Sequence, residues 1–174
     1  MEKQSKKPHN QNRIENALLG YQVATNLEIY EGHMIWARFS AMLVANSIVI
    51  AVTGFIIGQG QGPLPTFSIG MPIAGFILCF LWWIINERGF YYFEFWFCSA
   101  RELEEMYLKE PVKTFSRGYD LGKGNEIKLT LGGRSEPYRM KGFRRIRIRW
   151  VSYMVIGVFA AIHIMTLIWI YDRL

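Results

Sequence analysis

Apolar residues along this 174-residue chain gather into long blocks, and charged residues gather between them. The first block, Met34 to Gly58, is followed by an uncharged loop, Gln59 to Ser68, and by a second block, Ile69 to Asn86. An aromatic string, Phe90 to Phe97, comes next, and a third block, Trp150 to Tyr171, closes the chain. A bilayer core about 30 Å thick is crossed by roughly 20 mostly apolar helical residues. The blocks come close to that length and carry no central charge. They predict a transmembrane helical hairpin and a third transmembrane helix. The expected class is therefore an all-α membrane protein with three transmembrane helices, long cytoplasmic helical extensions and a small irregular cytoplasmic segment.

The extensions show in the pattern flanking the blocks. From Arg13, Ile14, Leu18 and Tyr21 recur at helical spacing, and Leu19, Val23, Leu27, Tyr30 and Met34 form a second stripe. Nothing breaks this helix before Trp36. Beyond the second block, Phe90, Phe93, Phe97, Ala100, Leu103 and Tyr107 continue one face, opposite charged residues, and Pro111 marks its end. Pro72 is expected in the first turn of the second membrane helix, where its missing N–H is harmless. Between Pro111 and Lys141, Ile127, Leu129 and Leu131 alternate with Lys128 and Thr130 ahead of Gly132-Gly133, the pattern of a short strand or hairpin arm. The organisation read this way is a disordered cytoplasmic tail over 1–12, a membrane hairpin with helical extensions over 13–110, a basic cytoplasmic segment over 111–149, and a third membrane helix over 150–174.

Charge orients the hairpin. The chain has 20 Lys+Arg against 14 Asp+Glu, a net charge of +6. Glu87 to Arg149 holds 14 of the basic residues and the loop Gln59 to Ser68 holds none. The positive-inside rule then places the N-terminus and the long middle segment in the cytoplasm and Asp172-Arg173-Leu174 outside. No short apolar core followed by a cleavage site marks a signal peptide, so the first membrane helix is expected to serve as its own targeting signal. The two cysteines, Cys79 and Cys98, suggest neither a disulfide framework nor a metal site.

The chemistry is sparse. Ala37, Ala41 and Ala45 repeat every four residues, Gly54 and Gly58 form a GxxxG pair, and Gly157 and Ala161 repeat that spacing in the third block. Such small faces let helix backbones approach closely in lipid, against another span or a second copy. Asn46 and His163 are polar groups inside apolar blocks, and His33 sits at the membrane entry beside Arg38. An intramembrane ionisable group such as His163 is a functional candidate by default, and a neutral histidine hydrogen-bonded between helices is the alternative. Glu94 stands alone among aromatics, either paired with Arg38 or Arg88 or lining a pore mouth. Arg139, Lys141, Arg144, Arg145, Arg147 and Arg149 form a dense basic run directly before the third block. Its position favours anionic lipid over nucleic acid. No HExxH, CxxC, GxSxG or Ser/His/Asp set appears, and the glycines around Gly122-Lys123 lack phosphate-loop spacing. Neither an enzyme nor a cofactor is expected.

One group of residues carries a likeness. Tyr30-Glu31-Gly32-His33, Trp36-Ala37-Arg38, Asn46, a Pro-containing turn, Trp82-Trp83, Tyr91 to Trp96 and Glu102-Leu103-Glu104 follow in order between Gln11 and Glu110. This layout resembles the RipA-family octameric membrane proteins of bacteria. It is similar to the small membrane accessory protein found beside some RNA-targeting CRISPR effectors. The resemblance implies a bacterial inner-membrane homo-oligomer, a ring of eight with a central pore, and for the CRISPR-linked relatives a membrane-depolarising role in antiviral defence. The nuclease-type Arg-then-His motif discussed for those relatives is absent here, since no arginine closely precedes His9, His33 or His163. The expected function is a non-enzymatic membrane homo-oligomer forming a pore or membrane-perturbing assembly, in antiviral defence or envelope stress. The alternative is a membrane-anchored adaptor whose cytoplasmic part recruits a protein partner.

Overall fold

The computed structural model describes residues 9–58, 65–108 and 112–172. In chain order these form α1 (His9–Gly58), α2 (Pro65–Leu103), a π-helical turn (Glu104–Leu108), α3 (Thr114–Lys123), β1 (Ile127–Leu131), β2 (Arg134–Tyr138), a 3₁₀ turn (Gly142–Arg145) and α4 (Ile148–Tyr171). Three of these helices are long and apolar enough to cross a membrane. The 50 residues of α1 span about 75 Å at 1.5 Å rise, more than twice a bilayer core. The 39 residues of α2 span roughly 58 Å. Both helices therefore continue well beyond their apolar runs without a break. The chain divides into two compact units, one of residues 32–90 and 147–174, the other of residues 1–31 and 91–146.

Several boundaries differ from those read in the sequence. The first helix starts at His9, so residues 9–12 are helical rather than part of a tail, and residues 1–8 lie outside the described set. Of the turn expected over Gln59 to Ser68, residues 59–64 lie outside the described set and Pro65 already opens α2. Pro72 consequently sits inside the helix, not in its first turn, and is fully buried. Proline is tolerated within a membrane helix because neighbouring groups re-satisfy the freed carbonyl. The end expected before Pro111 falls partly on residues 109–111, also outside the described set.

The membrane unit packs around Trp82, which is 0% exposed, with Cys79 and Ile156 beside it and Phe39, Met42 and Phe159 closing the cluster. The Phe39 and Trp82 rings meet edge to face at 5.1 Å. Gly89 brings α2 onto α1, since a Cβ there would stand 3.0 Å from the Ile35 side chain.

In the other unit, β1 and β2 form an antiparallel two-stranded hairpin pairing Leu131 with Arg134 and Ile127 with Tyr138. The two-residue turn is Gly132-Gly133, with φ of +57° and +80°, values that admit glycine and few others. The centre of this unit is Glu104, which is 0% exposed. Its carboxylate accepts the Phe115 N–H at 2.8 Å, the Ser116 N–H at 2.9 Å and the Tyr21 hydroxyl at 2.9 Å. Phe115 and Ser116 are in the first turn of α3, and Lys113 supplies no side-chain cap. Glu104 thus performs the capping task from a remote position, satisfying helix-end N–H groups and complementing the positive end of the helix dipole. Gly20 makes room for this contact, with a hypothetical Cβ only 3.3 Å from Leu103.

Glu104 and Tyr21 lie many residues beyond the apolar runs. Burial raises the Glu104 pKa, but the hydrogen bonds from Phe115, Ser116 and Tyr21 outweigh it and hold the carboxyl below its ordinary value. Burial and the bond to Glu104 push the Tyr21 phenol up to about 12. The carboxylate's contribution is fully present above the unfolded glutamate pKa of about 4.3 and is lost as pH falls through the lower folded value. We expect the Phe115 amide resonance in detergent to titrate with a midpoint below about 4.3. Glu104→Ala, which strands two amides and a phenol, is expected to destabilise α3 by about 2 kcal/mol, read as faster hydrogen exchange confined to that helix.

Candidate functional site

The three spans meet in a polar node inside the hydrocarbon region. Asn46 lies near the midpoint of the apolar run of α1, and Cys79 and His163 lie near the middle of theirs. All three are buried, at 0%, 2% and 1% exposure. The Asn46 Oδ1 accepts the Cys79 thiol at 3.2 Å and faces His163 Nε2 at 3.3 Å. Its Nδ2 donates to the Met42 carbonyl at 2.9 Å. One carboxamide therefore uses both ends and joins three helices. With Oδ1 as the acceptor, the facing His163 nitrogen carries the proton.

The imidazole has space because Gly75 faces it. A Cβ at Gly75 would fall 2.2 Å from His163 Cε1 and 2.4 Å from Nε2. No side chain fits between the α2 backbone and the ring. Nearer the start of α4, Asn86 Nδ2 donates to the Ser152 hydroxyl at 2.8 Å, and both residues are buried. Beside them, Glu87 accepts from both Arg149 and Tyr153, an ion pair extended by a phenol. The hydroxyls of Ser47, Thr53 and Thr166 each return to the carbonyl four residues earlier, the usual solution for a hydroxyl in lipid.

The residues singled out in the sequence separate into two groups. Asn46 and His163 come together. Arg38 is half-buried near Gly89, and His33 is exposed. Glu94 is exposed and makes no hydrogen bond or ion pair among the described residues, so the pairing with Arg38 or Arg88 is not formed. Ala37, Ala41, Gly54, Gly58, Gly157 and Ala161 all face outward, and Ala45 is half-buried. Close approach within the chain uses Gly75 and Gly89 instead. Arg139 donates to the Gly124 carbonyl at 3.0 Å, Arg149 pairs with Glu87, and Lys141, Arg144 and Arg147 are exposed. The side chain of Arg145 lies outside the described set. The roles of Gly75, Cys79, Glu104 and the Asn86–Ser152 pair carry no local signal, because each is defined by a partner far along the chain. Among the described residues, no three His, Cys, Asp or Glu side chains gather as a metal-binding group.

Three long apolar helices joined through buried polar groups define an integral membrane protein of the all-α class. Residues 20–171 match the octameric membrane protein family (8xMP), and the chain belongs to that family. No curated protein and no solved structure matches it.

Gly75→Ala is expected to destabilise the membrane unit by about 1–3 kcal/mol through overpacking against the ring, read as a lower melting temperature in detergent. Combined with His163→Ala, the same substitution should cost much less, so the pair should be strongly non-additive in a double-mutant cycle.

Proposed function

We propose that the chain forms a non-enzymatic ring of eight in a bacterial inner membrane and that the ring encloses a pore or perturbs the membrane around it. The observation that carries this reading is how little of each span is covered within one chain. Only 17%, 22% and 17% of the residues in the most apolar stretches of the three spans are buried. The small-residue faces Ala37-Ala41, Gly54-Gly58 and Gly157-Ala161 are all turned outward, where a second copy could approach closely. Family membership supplies the octameric assembly. Within the ring, the polar node of Asn46, Cys79 and His163 fixes each protomer, and Glu94 provides an exposed carboxylate for a charged rim. The basic residues between Glu87 and Arg149 support an orientation with the N-terminus in the cytoplasm. Membrane depolarisation under a defence or envelope-stress signal is the corresponding biological role. The second reading, a membrane-anchored adaptor, is favoured by the exposed face of Tyr91, Tyr92 and Phe95, which suits a protein partner.

Ion flux from proteoliposomes separates the two readings. The ring should release a trapped dye or collapse an imposed potential, and no flux under any applied potential would favour the adaptor. Gly54→Ile and Gly157→Ile should shift the native mass in detergent toward smaller species while leaving helix content unchanged. Glu94→Gln should change flux or assembly without affecting insertion, and unchanged values of both would remove Glu94 from the rim.

A further inference from the structure

A groove in the membrane unit remains open beside the contacts described above. It opens between α1 and α4 with a volume of about 280 Å³. Ile35, Trp36 and Phe39 line it from α1, and Ile148, Val151 and Val155 from α4. Its one polar lining residue, Ser152, is already engaged by Asn86 at 2.8 Å. The groove therefore offers hydrocarbon contact and no converging polar group.

Its mouth is different. Ile35 lies at the start of the Met34–Gly58 block and Ile148 two residues before the Trp150–Tyr171 block, so the groove starts near the ends of both spans and runs inward. Arg147 precedes Ile148 as the N-cap residue of α4. It directly precedes the lining residue Ile148, with extended backbone (φ −68°, ψ 132°) just outside the helix. Its carbonyl accepts the Trp150 N–H at 2.9 Å, but its side chain is exposed and makes no hydrogen bond or ion pair among the described residues. A cation thus adjoins a lining residue at one end of an apolar slot, and a phospholipid has the matching order, phosphate next to hydrocarbon.

We propose that this groove holds one acyl chain of an anionic phospholipid whose phosphate pairs with Arg147. An apolar side chain from a neighbouring copy could fill the slot, but it would not itself bring a counter-charge to the arginine. The lipid satisfies both groups. Its surroundings also supply it at high local concentration, so occupancy requires little intrinsic affinity.

Native mass spectrometry of the full chain in detergent tests this, with phosphatidylglycerol or phosphatidylethanolamine of identical acyl chains added. The expected result is retained phosphatidylglycerol on the wild type. Val151→Trp, which fills the slot, should reduce retention at least tenfold with the oligomer mass unchanged. Arg147→Gln should abolish a several-fold preference for phosphatidylglycerol over phosphatidylethanolamine while total retained lipid persists. Equal retention by wild type and Val151→Trp would overturn the proposal. So would a wild type that carries no lipid while Val151→Trp breaks the oligomer, since a neighbouring chain would then be the occupant. If Val151→Trp fails to fold, Arg147→Gln decides alone, and an unchanged headgroup preference overturns the pairing.

Discussion

A carboxamide in hydrocarbon has no water to turn to, so every hydrogen bond it needs must come from protein. Asn46 meets this constraint with a carbonyl on its own helix, a thiol on α2 and an imidazole on α4. Individually such bonds in membranes are worth on the order of 1 kcal/mol. Their collective value lies in specificity, because sliding any one span by a turn would leave a polar group facing lipid at a cost of several kcal/mol. Apolar packing between spans cannot enforce this, since lipid chains are as apolar as leucine. The register of the three helices, and with it the placement of Trp82 against Phe39 and Phe159, therefore depends on the node.

The same logic operates beyond the apolar runs. A helix as short as α3, with glycines at positions 118 and 122, has little intrinsic stability. Glu104 gives it a cap and a counter-charge from a residue on the preceding segment. The π-helical turn at Glu104–Leu108 begins at this residue, and such turns often accompany a side chain placed for a particular contact. In both units, then, buried polar groups fix a geometry that apolar contacts alone would leave loose.

How much of this was legible in the sequence follows from the range of each signal. The three spans were plain, because a run of about 20 apolar residues has few soluble explanations. The arm Ile127–Leu131 was visible through its alternation, but its partner Arg134–Tyr138 was not. Every residue of β2 is exposed, so no alternation is imposed on it, and Pro137 argues against a strand except at an edge. The helix α3 was missed because its cap lies outside it. Asn46 and His163 stood out as polar residues in apolar runs, yet their meeting across 117 positions could not be inferred from either. Glu94 was read as either paired with Arg38 or Arg88 or lining a pore mouth, and the pairing is not formed because the side chain is exposed and unpartnered among the described residues.

The fit of His163 over Gly75 imposes a direction on sequence drift. A glycine at position 75 is compatible with many residues at position 163, whereas the histidine is compatible with almost nothing but glycine opposite. In any lineage the glycine must be in place before the histidine arises, and the histidine must be replaced before the glycine can be. Between those two events, position 75 is frozen by a residue on another helix, and changes there would be purged however mild they look in the local sequence.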